Sequence, residues 1–441
     1  MGKMIKKLII VIMASVLFIT GCQAVKGVNL NNMILNGSKI TSSESKMTAS
    51  LDLTYNKAEV PDPDLLKVLN LVNHMKLELQ TKMQNPNTAS LSGNIILKQG
   101  KIPFQLYLDK KYMVLKLDNA KKPVRISMDA GGSPNDKLIQ DLQTKLMSPI
   151  VRNLPNPKHI SVKSETDMVH GTKVKGYKVH AVVYANEVKD LLFTFLTNLS
   201  KDDKAITEIV KAVNALNKAT GDNTTMTVKE FKAGMADFKT GLNETLKDPQ
   251  FSKVLTPKNY FKTDIFVNQY FTVRKSSSVL NIASIPSGMG LTSLRLTVSG
   301  ENWNNNYKSI KSTKISASQY LNEQASPDQF LATLDKNHSV LYTVMASFIY
   351  PPSKALDSKQ VQVTNNKGTL DRITVNGLVK GDVIKVYSIG GTMLTAKQST
   401  GSSVSLYVKQ LGKKSGKIFV SVMHTKMAES SRISVVFKSE K

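Results

Sequence analysis

The sequence predicts an α+β protein, in which an antiparallel sheet carries helices packed on one face and a small all-β sandwich follows. Three patterns predict it. Apolar and polar residues alternate with period two over most of residues 46–128 and again over 263–299. Helical spacing dominates most of the stretch between them. From Asp357 onward the strands shorten and turn residues recur at regular intervals. Strands, then inserted helices, then strands again give helices segregated to one face of a sheet.

Met47, Ala49, Leu51, Leu53 and Tyr55 alternate with Thr48, Ser50, Asp52 and Thr54, the pattern of a half-buried strand. Leu65, Leu66, Leu69 and Val72 fall at helical spacing, with acidic residues just before them. Met75, Leu77, Leu79 and Met83 restore period two, and Ala89, Leu91, Ile95 and Leu97 continue it beyond an Asn85-Pro86-Asn87 turn. Ile102 to Leu108, Met113 to Leu117 and Val124 to Met128 complete a meander with one polar face. Leu138, Leu142, Leu146 and Ile150 lie four apart, a helix that ends before Pro155. Strands around Val162 and at Val179–Val183 precede three more helices. The first carries Val188, Leu191, Leu192, Phe195 and Leu199, and the second Ile206, Ile209, Val210, Val213 and Leu216. The third opens on Thr227 and Glu230, a capping box, and carries Phe231, Met235, Phe238, Leu242 and Leu246. Residues 46–335 form this α+β domain. Residues 336–356, with an apolar patch from Val340 to Tyr350 before Pro351-Pro352, read as a strand or short helix leading into a stiff connector. Residues 357–441 hold six or seven short strands and form the sandwich.

The N-terminus has its own signature. Lys3, Lys6 and Lys7 precede an apolar run, Leu8 to Thr20, and then Ile19-Thr20-Gly21-Cys22. The run is too short to span a bilayer and suits a signal peptide. Ile19, Thr20, Gly21 and Cys22 resemble the lipobox of bacterial lipoproteins. That resemblance implies a signal peptide over 1–21 and a diacylated Cys22 holding the chain on the outer face of a membrane, since two acyl chains anchor stably. Residues 22–45, rich in Asn, Ser and Gly, read as a lipidated cysteine and flexible tether.

Cys22 is the single cysteine, which excludes disulfides within the chain and structural cysteine zinc sites. The net charge is +27, spread over scattered lysines. Nucleic-acid motifs are absent, so no nucleic-acid partner is expected. Anionic lipid headgroups or wall polymers fit the charge, as does a solvated basic surface.

Catalytic and metal motifs are equally lacking. His74, His159, His170, His180, His338 and His424 include no pair four residues apart. His170 and His180 flank a hairpin and stand as a candidate pair. No Gly-x-Ser-x-Gly elbow is present. Ser287-Gly288-Met289-Gly290 reads as a hairpin turn, without the lysine of a phosphate loop. Trp303 and Tyr307, set among asparagines, either stack on a sugar or peptide or cap the end of the sheet. Leu192, Phe195, Phe231, Met235, Phe238 and Leu242 either fill a core or line an apolar pocket. The chain is thus expected to have no catalytic residues, no cofactor and no metal.

Segments of the chain resemble known families. Gly100 to Leu108, Ala120 to Val124, Asn153 to Val162, Lys178 to Asn198 and Val298 to Asn304 resemble a family of uncharacterised surface lipoproteins from Gram-positive spore-formers. Many members carry a module named after the N-terminal domain of copper amine oxidase, which is not found here. Val363 to Asn366, Asp371, Val375 to Leu378, Gly381 to Tyr387, Gln410 to Gly412 and Glu429 to Arg432 resemble an immunoglobulin- or fibronectin-like repeat of extracellular proteins. The N-terminal domain is similar in strand order and context to half-barrel lipoproteins that shuttle lipids. The resemblances imply a non-enzymatic, membrane-anchored extracytoplasmic protein that binds an apolar ligand or lipid, or an envelope partner. A scaffold on anionic wall polymers is the alternative, and an envelope hydrolase the third.

Overall fold

A computed structural model describes residues 24–25, 28–37, 39–128, 136–219, 221, 224–285 and 290–440. Ile19, Thr20, Gly21, Cys22 and most of the Ser287–Gly290 loop lie outside them. The fold is α+β, as the alternation predicts. Its centre is an 11-stranded antiparallel sheet, open and not a closed barrel. The strands are β1 (Ser43–Tyr55), β2 (Met75–Asn85), β3 (Thr88–Leu97), β4 (Gly100–Leu108), β5 (Tyr112–Leu117), β6 (Val124–Ser127), β7 (His159–Val169), β8 (Thr172–Tyr184), β9 (Tyr260–Asn268), β10 (Val273–Ile282) and β11 (Leu291–Trp303). Their order is β6-β5-β4-β3-β2-β1-β11-β10-β9-β8-β7. The first strand is thus paired to the last, Leu51 opposite Leu296, and a meander runs outward on each side.

The chain divides into two compact units. One holds the described residues up to 89 with those from 128 to 313, and the other holds 90–127 with 314–440. In the first, helices α1 (Asn31–Gly37), α2 (Pro63–Val72), α3 (Asp136–Asn153), α4 (Val188–Lys201), α5 (Asp203–Ala219), α6 (Val228–Leu246) and α7 (Pro249–Val254) accompany the strands. Their starts are set by side chains. Asp62 accepts from the Asp64 N–H ahead of Pro63. Thr227 and Glu230 exchange both bonds of the capping box read in the sequence. Asp202 caps α5 through the Ala205 N–H, and also accepts from Asn153 Nδ2 and Arg152 Nε at the end of α3. These donors hold its carboxyl below the ordinary value.

Helix α4 lays Val188 and Leu191 on Ala181 and Val183 of β8, and α5 buries Ile206, Ile209 and Val210 against Leu199. The segment expected to be a flexible tether is instead docked where it is described. Leu30 is fully buried, and Val28 and Met33 are buried too. Val28 and Leu30 pack on Val162 and Val179 of β7 and β8. The correction has a simple cause: two or three apolar side chains suffice to seat a segment on an open apolar sheet face, and no periodicity reveals them.

In the second unit the apolar patch takes the helical one of its two readings, as α9 (Val340–Ile349), and α8 (Pro327–Leu331) precedes it. Ser326, Ser339 and their hydroxyls cap both helices. Leu331, Leu334, Leu341 and Met345 share a cluster with Ala120, and Asp118 accepts from the Ser339 hydroxyl and the Leu341 N–H. The C-terminal strands are β12 (Val361–Thr364), β13 (Asp371–Asn376), β14 (Val383–Tyr387), β15 (Met393–Gln398), β16 (Ser403–Val408), β17 (Gly416–Met423) and β18 (Ile433–Phe437). They form sheets β12-β13-β16 and β15-β14-β17-β18 around one shared core, with Ile373, Val375 and Leu406 facing Ile384, Val386 and Val420.

Leu30→Ala should destabilise the first unit by about 2–5 kcal/mol. Trp303 is the sole tryptophan and lies in that unit, so urea unfolding followed by its fluorescence measures the loss. A midpoint unchanged from the parent would mean that the docked segment contributes nothing.

Candidate functional site

The two faces of the sheet in the first unit differ completely. Residues two apart on a strand share a face, so the register fixes which side chains form rows across the strands. On one face Lys46, Glu301, Lys275, Phe266 and Lys178 stand opposite one another on β1, β11, β10, β9 and β8. Beside them run Thr48, Ser299, Ser277, Asp264 and His180. On the other face the rows are mostly apolar, and the two hydroxyls they include, Ser278 and Thr263, are hydrogen-bonded to each other. One contains Met75, Leu51, Leu296, Leu280, Phe261 and Val183, and the next Leu77, Ala49, Val298, Ser278, Thr263 and Ala181.

Burial changes along the apolar rows. Ala181 and Val183, on β8 under α4, are 0% and 1% exposed. Toward β10, β11, β1 and β2 the rows rise to half-buried, at Leu280, Leu296, Val298, Ala49, Leu51 and Leu77. None of these six belongs to a buried cluster. These six make a floor of partly covered aliphatic groups away from the helices, while in the adjacent row Leu53 and Ile282 are buried.

Six helix residues stood as pocket candidates. Leu192 and Phe195 pack on the Ala181 and Val183 cluster, and Phe231 and Met235 on the Ile206 and Val210 cluster. Phe195 belongs to both. Leu242 is half-buried and Phe238 is 53% exposed. Helix α6 buries none of its residues, so its stripe lies at the edge of the helical layer.

On the polar face, Lys275 bridges two carboxylates, Asp167 at 3.1 Å and Glu301 at 3.4 Å. Burial pulls its ammonium down, but hydrogen bonds and charge from Asp167 and Glu301 outweigh this and hold it above its ordinary value. The bridge links β7 to β11 because the long β7–β8 hairpin coils over this face. Gly176 permits the coil, since a Cβ there would meet the Val267 carbonyl oxygen at 1.9 Å. At the tip, His170 and Gly171 both take positive φ, as a tight hairpin turn requires. The His170 ring stacks on Trp303 with centroids 4.0 Å apart. His170 and His180 therefore do not meet. His180 lies within 3.0 Å of Asp264. His74, His159, His338 and His424 likewise each neighbour one carboxylate. Tyr307 is 60% exposed and does not join the stack.

The arrangement limits the chemistry. Ser277, Asp264 and His180 occupy consecutive strands, with the acid in the middle. Two strand spacings, roughly 10 Å, separate serine from histidine. This order does not let the imidazole take the hydroxyl proton directly, as a triad requires. Among the described residues no group of three or more His, Cys, Asp or Glu is placed to hold a metal ion. No described helix is long and apolar enough to cross a membrane.

In the second unit a charged cluster lies beneath the surface. Lys385, on β14, is 2% exposed. It lies 3.4 Å from Glu429 and donates to the Thr343 hydroxyl on α9. Tyr387 and Ser421 donate to the same carboxylate at 2.7 Å, and Arg432 covers the Tyr387 ring. Burial depresses the Lys385 ammonium, opposed by Glu429. Burial and then the Glu429 charge push the Tyr387 phenol well up. In the sequence these residues are merely the polar partners of an alternating strand. The signal that could have found them is Glu429, an acid in a stretch with few others.

The chain matches no protein-family model, and no curated protein matches it.

Glu429→Gln leaves the Lys385 ammonium buried without its counter-charge and should cost the second unit about 3–5 kcal/mol. Lys385→Met combined with Glu429→Gln should recover most of that. Calorimetry resolves both. Equal losses in the single and double variants would show that the pair is not coupled.

Proposed function

We propose that the chain is a lipid-anchored protein of the outer face of a bacterial membrane, non-enzymatic, and that it binds the acyl portion of a lipid on the apolar floor of its sheet. One observation carries the ligand: apolar rows that are core at β8 continue, half-covered, across β10, β11, β1 and β2. An incompletely covered aliphatic face of this kind supports a ligand or partner site. Each methylene laid on it contributes about 0.8 kcal/mol, so eight contribute roughly 6 kcal/mol, enough to hold a single chain. The strand order also supports this reading. A sheet with β1 at its centre, and with helices inserted after β6 and after β8, is compatible with a half-barrel curved around a lipid. Anchoring rests on the sequence of Ile19, Thr20, Gly21 and Cys22. The family resemblance to spore-former surface lipoproteins belongs to the same proposal.

A second reading, a scaffold on anionic wall polymers, is favoured by the net charge of +27 and the lysine-bearing polar face.

Native mass spectrometry of the chain lacking residues 1–22, purified from a bacterial host, should detect a bound lipid mass. Leu296→Lys sets a charge in the middle of the floor and should abolish it, while Trp303 fluorescence still reports a folded unit. An apo mass in the parent, with no binding of an apolar dye, would sink the ligand proposal. Cys22→Ala should separately remove the chain from the membrane fraction. Membrane retention in that variant would refute the anchor and leave the ligand test standing.

A further inference from the structure

The polar face holds a groove that acyl-chain binding does not use. Its volume is about 420 Å³, and its floor is Phe266, 4% exposed. The groove runs across the strands. Lys46 stands at the β1 end and Lys178 at the β8 end of the same row. Four strand spacings separate them, roughly 19 Å along a flat sheet and less on a coiled one.

The groups between the two ends are largely satisfied. Lys275 pairs with both Asp167 and Glu301, one ammonium between two carboxylates, and His180 attends Asp264. Thr48 and Ser299 share a hydrogen bond of 2.7 Å. Among the described residues, Lys46, Lys178 and the Ser277 hydroxyl have no side-chain partner, although all three line the groove. The unmet demand is therefore specific: two cationic donors at the ends and hydroxyl-compatible groups between them. Carboxylates already held by a cation still have lone pairs free for ligand hydroxyls. Phosphate suits a lysine as a point charge.

We propose that this groove binds an anionic chain in which phosphates alternate with short polyols, with one phosphate on Lys46, another on Lys178, and the intervening hydroxyls on Ser277, Asp264 and Glu301. The extended shape and separated cations favour a polymer over a single headgroup. The site lies on the face opposite the acyl floor and stands whether or not a lipid binds there.

Isothermal titration of the full chain in neutral detergent tests this with two probes, glycerol 3-phosphate and a synthetic glycerol phosphate oligomer of several repeats. The oligomer should bind roughly a hundredfold more tightly than the monomer, because it reaches both lysines at once. Lys46→Gln or Lys178→Gln should each reduce the oligomer to the affinity of the monomer, while Lys178→Arg should retain binding. Lys98→Gln with Lys101→Gln removes two charges elsewhere and should leave the affinity unchanged. Equal affinities for monomer and oligomer would overturn the proposal. So would an equal loss in the Lys98 and Lys101 control, which marks diffuse attraction to the basic surface. Binding only to phosphatidylglycerol vesicles, with neither soluble probe bound, would overturn it in favour of a membrane surface.

Discussion

The pairing of β1 with β11 is the contact on which the first unit depends. Leu51 meets Leu296 across 245 intervening residue steps, and the register continues from Glu44 opposite Trp303 to Tyr55 opposite Leu291. Without it there are two separate meanders, each with a bare edge. With it, every row on both faces acquires its composition. Closing so long a loop costs entropy before any contact offsets it, so this junction is favoured to form late in folding. The bridge from Lys275 to Asp167 and Glu301, and the stack of His170 on Trp303, lie wholly within the β7–β11 meander and do not depend on the junction.

Strict alternation gives the sheet two faces of different composition. A shift of one residue at β1 would exchange Lys46 and Thr48 for Met47 and Ala49 and merge the faces. The register is fixed because Ala181 and Val183 are buried under α4 at one end, while Lys275 is held between carboxylates on the opposite face. Neither constraint alone determines it across five strands. The helices cover the β7–β9 end because their longest apolar stripes, on α4 and α5, already have partners there. Helix α6, with no buried residue, has too little covered area to extend that layer.

Much of this was legible in the residues. Alternation located the strands, and Thr227 with Glu230 marked a helix start whose hydrogen bonds the structure contains. What was not legible is non-local. No local period says that β1 lies beside β11, that Leu30 is buried against β7 and β8, or that His170 reaches Trp303. The groove residues were invisible for a related reason. Lysines and acids on alternate positions read as a solvated face, and only the register assembles Lys46, Glu301, Lys275 and Lys178 into a line. The helix stripe was legible as apolar but not as divided between two clusters.

Lys385 shows how far a single parity assignment reaches. Alternation along β14 sets Lys385 and Tyr387 on the face opposite Ile384 and Val386, which lie in the core. Opposite the core does not mean facing water. Because α9 lies against this face, the lysine loses its hydration and requires a counter-charge, supplied by Glu429 after β17. A buried ion pair contributes little net stability compared with apolar residues of the same volume, but separating its members is costly. The pair therefore acts as a constraint on placement. Helix α9 cannot shift along β14 without stranding an ammonium, and a strand that slipped by one residue would bury Ile384 against Thr343. That is why residues 340–349 are a fixed element of the second unit.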